Sequence, residues 1–90
     1  MLKLSWSNKY KRDIKLCAKR GYDLSLLEKV INILRIPEPL PPHNKDHILR
    51  GNFVNQRECH IMPDWLLIYQ VYEDELHLIR TGTHSDLFDM

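Results

Sequence analysis

All five histidines of this 90-residue chain lie after Pro42, and four of them have a carboxylate close by in sequence. Asp46 precedes His47, Glu58 stands two residues before His60, Glu75 two before His77, and Asp86 two after His84. Imidazole is the side chain whose ordinary pKa, about 6.5, lets it give or take a proton near neutral pH. Gathered with carboxylates in one half of a small domain, such groups supply what general acid–base catalysis requires. Local context separates them only in part. His43, among prolines, reads as an exposed side chain, and His77, followed by Leu78, as decoration of a sheet surface. His47, in a loop with Lys45 and Asp46, reads equally well as structural or functional. His84 follows Gly82 in a polar tail and is unremarkable taken alone.

Other chemistries fit less well. Cys59 and His60 offer sulfur and nitrogen to a metal, but adjacent strand residues point to opposite faces, and there is no Cys-x-x-Cys or His-x-x-x-His spacing. No metal or other cofactor is therefore expected. Three scattered glycines make neither a Walker loop nor a dinucleotide fingerprint. Cys17 and Cys59, far apart in a chain without export features, read as reduced core thiols.

The elements that must position these groups follow from periodicity. Leu2, Leu4 and Trp6 alternate with Lys3 and Ser5, the pattern of a short strand with one buried side. Ser7 offers an N-cap to a helix carrying Tyr10, Ile14, Cys17 and Ala18 at helical spacing, and Gly21 a left-handed stop. Leu24, Leu27, Ile31 and Leu34 stripe a second helix, which Ser25 and Glu28 would open as a capping box and Pro37 ends. Residues 37–50 hold four of the five prolines and read as a stiff surface loop. After Gly51 the period becomes two. Cys59 and Ile61 fall on one face, Glu58 and His60 on the other, so if the first pair faces a helix-covered core the second faces the open side. Pro63 and Asp64 make a turn. Residues 65–72, apolar on both faces, read as a central strand, and residues 76–81 as the last. The expectation is a single domain over residues 1–90, an α+β two-layer sandwich. Its order is β-α-α-β-β-β, with a helix hairpin on a mainly antiparallel four-stranded sheet.

The net charge of +1 conceals a division. Residues 1–35 carry nine basic against three acidic side chains, a net of +6, and residues 51–90 two against seven, a net of −5. A segregated positive charge attracts nucleic acid or an acidic protein, although a solvated helix face accounts for it equally well. No apolar run approaches the ~20 residues of a membrane span, and no signal-peptide core follows Met1, so a cytoplasmic protein with no membrane partner is expected.

Three blocks of the C-terminal half carry a family likeness. They are Lys45-Asp46-His47 followed by Gly51, then residues 57–69 (RECHIMPDWLLIY), then residues 80–88 (RTGTHSDLF). In this order and spacing they resemble the YafQ-type toxins of the RelE/ParE superfamily, the toxic halves of bacterial type II toxin–antitoxin pairs. The resemblance covers essentially the whole chain and implies a RelE-like fold. The activity it implies is that of an mRNA endoribonuclease, acting without a metal on translated message at the ribosome and neutralised by a cognate, small, acidic antitoxin. Carried over by motif, the catalytic candidates are His47, His60, Asp64 and His84, with His84 as general acid. Arg80, Phe88 and Lys45 would bind substrate. Glu58 stands where the family commonly has aspartate, and its role transfers less directly. RNA cleavage by its own 2′-hydroxyl needs a base, phosphate stabilisation and an acid. His60, helped by Glu58 or Asp64, fits the base, His47 fits base or phosphate donor, and Phe88 could stack on a base or plug the core. Lys11, Arg12, Lys15 and Lys19 would hold ribosomal RNA. Two alternatives remain open at this point: a ParE-like toxin that poisons gyrase, and a non-catalytic RNA- or protein-binding module.

Overall fold

The stretch Trp65-Leu66-Leu67-Ile68-Tyr69 has no polar side to offer water, and the chain builds its sheet around it. All five residues are buried, because strands flank them on both edges and side chains cover both faces. The computed structural model describes residues 1–49 and 55–88. Its elements run β1 (Lys3–Trp6), α1 (Asn8–Lys19), α2 (Leu24–Arg35), a 3₁₀ turn (Pro42–Asn44) and β2 (His47–Ile48). Then follow β3 (Arg57–Met62), β4 (Trp65–Tyr72), β5 (Glu75–Gly82) and α3 (His84–Phe88). The sheet order is β1-β5-β4-β3-β2, with β1 parallel to β5 and the other neighbours antiparallel.

The helices form one layer over this sheet, α1 against β5 and α2 against β3. Tyr10 and Cys17 from α1 and Leu27, Val30 and Leu34 from α2 meet Cys59, Trp65, Leu67, Tyr69, Leu76 and Leu78 in one core. Both cysteines are free and fully buried, and burial pushes the Cys59 thiol up to about 12. The α+β sandwich and its helix pair are as the periodicity predicts. Gly21, at φ 77°, turns the chain between the helices.

Four details differ from the sequence reading. The sheet has a fifth strand, since His47 and Ile48 pair with Glu58 and Arg57; two residues carry no period and could not announce themselves. Helix α2 starts one residue before Ser25, capped by Asp23, whose Oδ1 accepts from the Ser25 amide (3.1 Å) and hydroxyl (2.6 Å). Trp6 remains 47% exposed, because it ends β1 just where the chain turns into α1. The polar tail after Gly82 is helical over His84–Phe88. Gly51, which closes the first of the three motif blocks and marks the point where the period changes, lies outside the described residues.

Two register shifts decide which side chains share a face. One extra residue at Ile61 interrupts the β3–β4 pairing next to His60, and another at Ile79 interrupts β4–β5. The second reverses the parity of β5. Leu76 and Leu78 lie on the helix side, and without the shift Arg80 would follow them. Instead Thr81 pairs with Leu67 on the helix side, and Arg80 pairs with Ile68 on the other. Thr81 fastens this arrangement, accepting from Trp65 Nε1 (2.9 Å) and donating to the Leu66 carbonyl (2.7 Å).

Candidate functional site

On the sheet face away from α1 and α2, the register draws two rows of side chains. His47, Glu58, Ile68 and Arg80 line up across β2, β3, β4 and β5, and His60, Leu66 and Gly82 form the next row. With about 4.8 Å between strands, the first row spans ~14 Å. Leu66 and Ile68 are buried yet stand apart from the helix-side core, so they are the apolar floor of a polar site.

The candidate residues His47, Glu58, His60, Asp64 and His84 converge here. The His60 ring centre lies 5.7 Å from that of His84 and 6.5 Å from that of His47. Glu58 Oε1 sits 3.5 Å from His47 Nε2 and 3.6 Å from His60 Nε2. Parity puts Glu58 on this face, as expected, but it is not open to water: Glu58 is only 5% exposed. A carboxylate so placed needs cationic or hydrogen-bonding partners, and two imidazoles stand next to it.

Asp64 turns out to serve His84 and not His60. Its Oδ1 accepts from the His84 backbone amide (2.9 Å) and from Nδ1 of the same residue (2.6 Å). These two hydrogen bonds hold the Asp64 carboxyl below the usual carboxylate range. With Nδ1 donating to Asp64, Nε2 is the nitrogen His84 presents for proton transfer. His47 is oriented in a parallel way, its Nδ1 donating to the Lys45 carbonyl (2.7 Å). A carbonyl can only accept, so neutral His47 carries its lone pair on Nε2, facing Glu58.

The remaining candidates have different fates. Arg80 does not project alone toward substrate: its Nε (2.8 Å) and Nη2 (3.0 Å) donate to Asp13 of α1, which also accepts from the Thr81 amide (3.1 Å). Phe88 is half-buried in α3. Lys45 is exposed, with a left-handed backbone (φ 49°) directly after the 3₁₀ turn. Lys11, Arg12, Lys15 and Lys19 are all exposed on α1. His43 is exposed, and His77 shares a hydrogen bond with Ser5 of β1.

Several residues that build the site were not foreseen from sequence. Thr83 and Asp86 form a reciprocal cap on α3: the Thr83 amide donates to Asp86 Oδ2 (2.9 Å) and the Asp86 amide to Thr83 Oγ1 (3.1 Å). The Thr-x-x-Asp spacing carried that signal. Arg20 joins the same carboxylate with Nη1 (2.6 Å) and Nη2 (3.0 Å), tying α1 to α3. A Cβ on Gly82 would come within 2.9 Å of Asp86 Oδ2, so only glycine leaves room for this cap. Asn44, 5% exposed, donates to the His60 carbonyl (2.7 Å) and pins the proline-rich loop to β3. Asp46 accepts from Tyr69 (2.5 Å) and Arg57 (3.3 Å) and anchors the same loop at its other end.

A helix pair on a sheet of this order, with imidazoles gathered on the bare face, defines a RelE-like α+β protein. Residues 2–89 match the family model described as "Bacterial toxin of type II toxin-antitoxin system, YafQ", and the chain belongs to that family. An mRNA interferase toxin YafQ of Escherichia coli K12 is 40% identical over 86 residues, covering 94% of each chain. A metal-bound toxin from Helicobacter pylori matches with a TM-score of 0.93 at 47% identity, over 98% of this chain and 100% of that one. A chain of the E. coli DinJ–YafQ toxin–antitoxin complex matches with a TM-score of 0.89 at 38% identity, over 98% and 99% respectively.

The Asp86 brace has a definite pH signature. The Arg20 guanidinium, followed by the Thr83 amide, holds the Asp86 carboxyl well below its unfolded value of about 3.9. A folded pKa lower than the unfolded one adds stability that is complete above that value and is lost as pH falls through the folded one. Asp86→Asn should therefore destabilise the protein at pH 7, with the gap from wild type narrowing steadily below about pH 4. Urea midpoints measured across that range check this; a gap independent of pH would contradict it.

Proposed function

We propose that this protein is a metal-independent endoribonuclease, an mRNA interferase that cuts translated message at the ribosome and is held inactive by a cognate acidic antitoxin. The observation that carries this reading is the convergence of three imidazoles and two carboxylates on one sheet face over an apolar floor. The E. coli relative bearing the name mRNA interferase toxin, and the related chain in a toxin–antitoxin complex, support the same reading. Among the described residues no helix is long and apolar enough to cross a membrane. The cytoplasm, where message is translated, is the compartment this reading requires.

The chemistry runs on proton transfer. His60, with Glu58 beside it to stabilise the imidazolium, takes the 2′-hydroxyl proton, and the 2′-oxygen attacks phosphorus. As the P–O5′ bond breaks, Nε2 of His84 gives its proton to the departing 5′-oxygen, while Asp64 keeps the ring oriented. The products are a 2′,3′-cyclic phosphate and a 5′-hydroxyl. His47, when protonated, donates to the crowded phosphate. Lys45 adds positive charge at the rim, and Arg80, oriented by Asp13, supports the phosphate from the far end of the row. Phe88 stacks on a base next to the cut. Lys11, Arg12, Lys15 and Lys19 on α1 form the contact with ribosomal RNA.

His84→Ala should lower cleavage by about 10²-fold or more while circular dichroism and the unfolding midpoint stay near wild type. Unchanged cleavage by a folded variant would remove His84 from the mechanism. Reversing the charges of Lys11, Arg12, Lys15 and Lys19 should reduce cleavage of translated message more than cleavage of a free oligonucleotide. Equal losses on both substrates would contradict the ribosome contact.

A further inference from the structure

Two cavities of similar size flank the β3–β4 hairpin at Pro63, and their charges differ. The first, about 390 Å³, is lined by Tyr22, Leu26 and Trp65 and carries the carboxylates of Asp23 and Asp64. The second, about 370 Å³, is lined by His43, Lys45, His60, Ile61, Met62 and Pro63 and carries no carboxylate. Both are large enough for a small ligand. Of the two, the second suits a group that bears a phosphate, because its lining holds a lysine and two imidazoles, one of them His60.

This second cavity is also built before any ligand arrives. The 3₁₀ turn closes through the Asn44 amide to the Pro41 carbonyl (3.0 Å) and the Lys45 amide to the Pro42 carbonyl (3.1 Å). The Asn44 side chain then fastens the turn to the backbone of His60 (2.7 Å). His43 and Lys45 are thus fixed relative to a candidate catalytic ring, and the Lys45 carbonyl orients His47 as well. Ile61, Met62 and Pro63 give the same cavity an apolar wall. A thioether is polarisable and packs well against flat aromatic rings.

Resting on the endoribonuclease reading, we infer that this cavity is a nucleotide subsite. It receives the nucleotide next to the scissile phosphate, with the base between His43 and the Met62–Pro63 wall and the phosphate toward Lys45. Unstacked bases of single-stranded RNA are held in this manner, by rings and soft apolar surface with a cation nearby. His43 and Met62 are then specificity-determining residues, since they touch the base and take no part in proton transfer.

The test is to map 5′ ends on one defined message cut by wild type, His43→Ala and Met62→Ser. Both positions are exposed, at the turn and at the hairpin, so neither substitution disturbs the core. Each variant should flatten the base preference at a single position beside the cut, by about tenfold, and leave the preference at other positions as in wild type. An unaltered preference, or a uniform loss at every site, would overturn the subsite while the wild type still cuts. Absence of cutting by the wild type would overturn the endoribonuclease reading itself, so the two failures are distinguishable.

Discussion

One carboxylate, that of Asp86, decides where His84 stands. A helix of five residues cannot nucleate on its own, because the ordering of its first turn outweighs the hydrogen bonds it gains. Asp86 supplies what is missing: it accepts from the Thr83 amide at the start of α3 and from two nitrogens of Arg20 at the end of α1. Gly82 gives it room. With the turn fixed, the His84 amide and Nδ1 both reach Asp64 in the β3–β4 hairpin, and the ring is oriented from two elements at once. Two arginine–aspartate pairs, Arg20–Asp86 and Arg80–Asp13, thus tie the first helix to the far end of the last strand and to the segment beyond it.

The sheet does the rest by parity. Helices cover one face, so every side chain the strands turn the other way must make its own cover. Leu66 and Ile68 are dry because histidines and a glutamate lie along the same two rows. Polar groups over an apolar floor act in a medium of lower dielectric than water, where a proton donor or a phosphate contact counts for more. The register shifts at Ile61 and Ile79 are part of this design: one adjoins His60, and the other turns Arg80 onto the histidine face.

Much of this was legible in the sequence where a period existed to read. Alternation across residues 57–62 separated Cys59 from Glu58 and His60, and the apolar run of residues 65–72 announced the central strand. The segments that carry the histidines were legible as motifs. What escaped was long-range or aperiodic. Asp13 and Arg80 are 67 residues apart, and Arg20 and Asp86 66, so nothing local pairs them. Strand β2 is two residues long, and its pairing is what brings His47 up to Glu58 and helps bury that carboxylate. Asp64 has a proton partner on each side in sequence terms, His60 and His84, and only the turn of α3 selects His84. The Thr83–Asp86 cap had a readable spacing but no apolar helical stripe after it to give it weight.

In the proposed mechanism His47, His60 and His84 surround a single phosphate on the sheet face away from α1 and α2. The most direct measurement follows the imidazole nitrogens by NMR while a 2′-deoxy oligonucleotide, which lacks the attacking hydroxyl, is titrated in. The signals of His47, His60 and His84 should shift together along one binding curve while those of His77, hydrogen-bonded to Ser5 in the parallel β1–β5 pair, stay in place. Shifts confined to one of the three rings, or His77 moving in concert with just one of them, would contradict it.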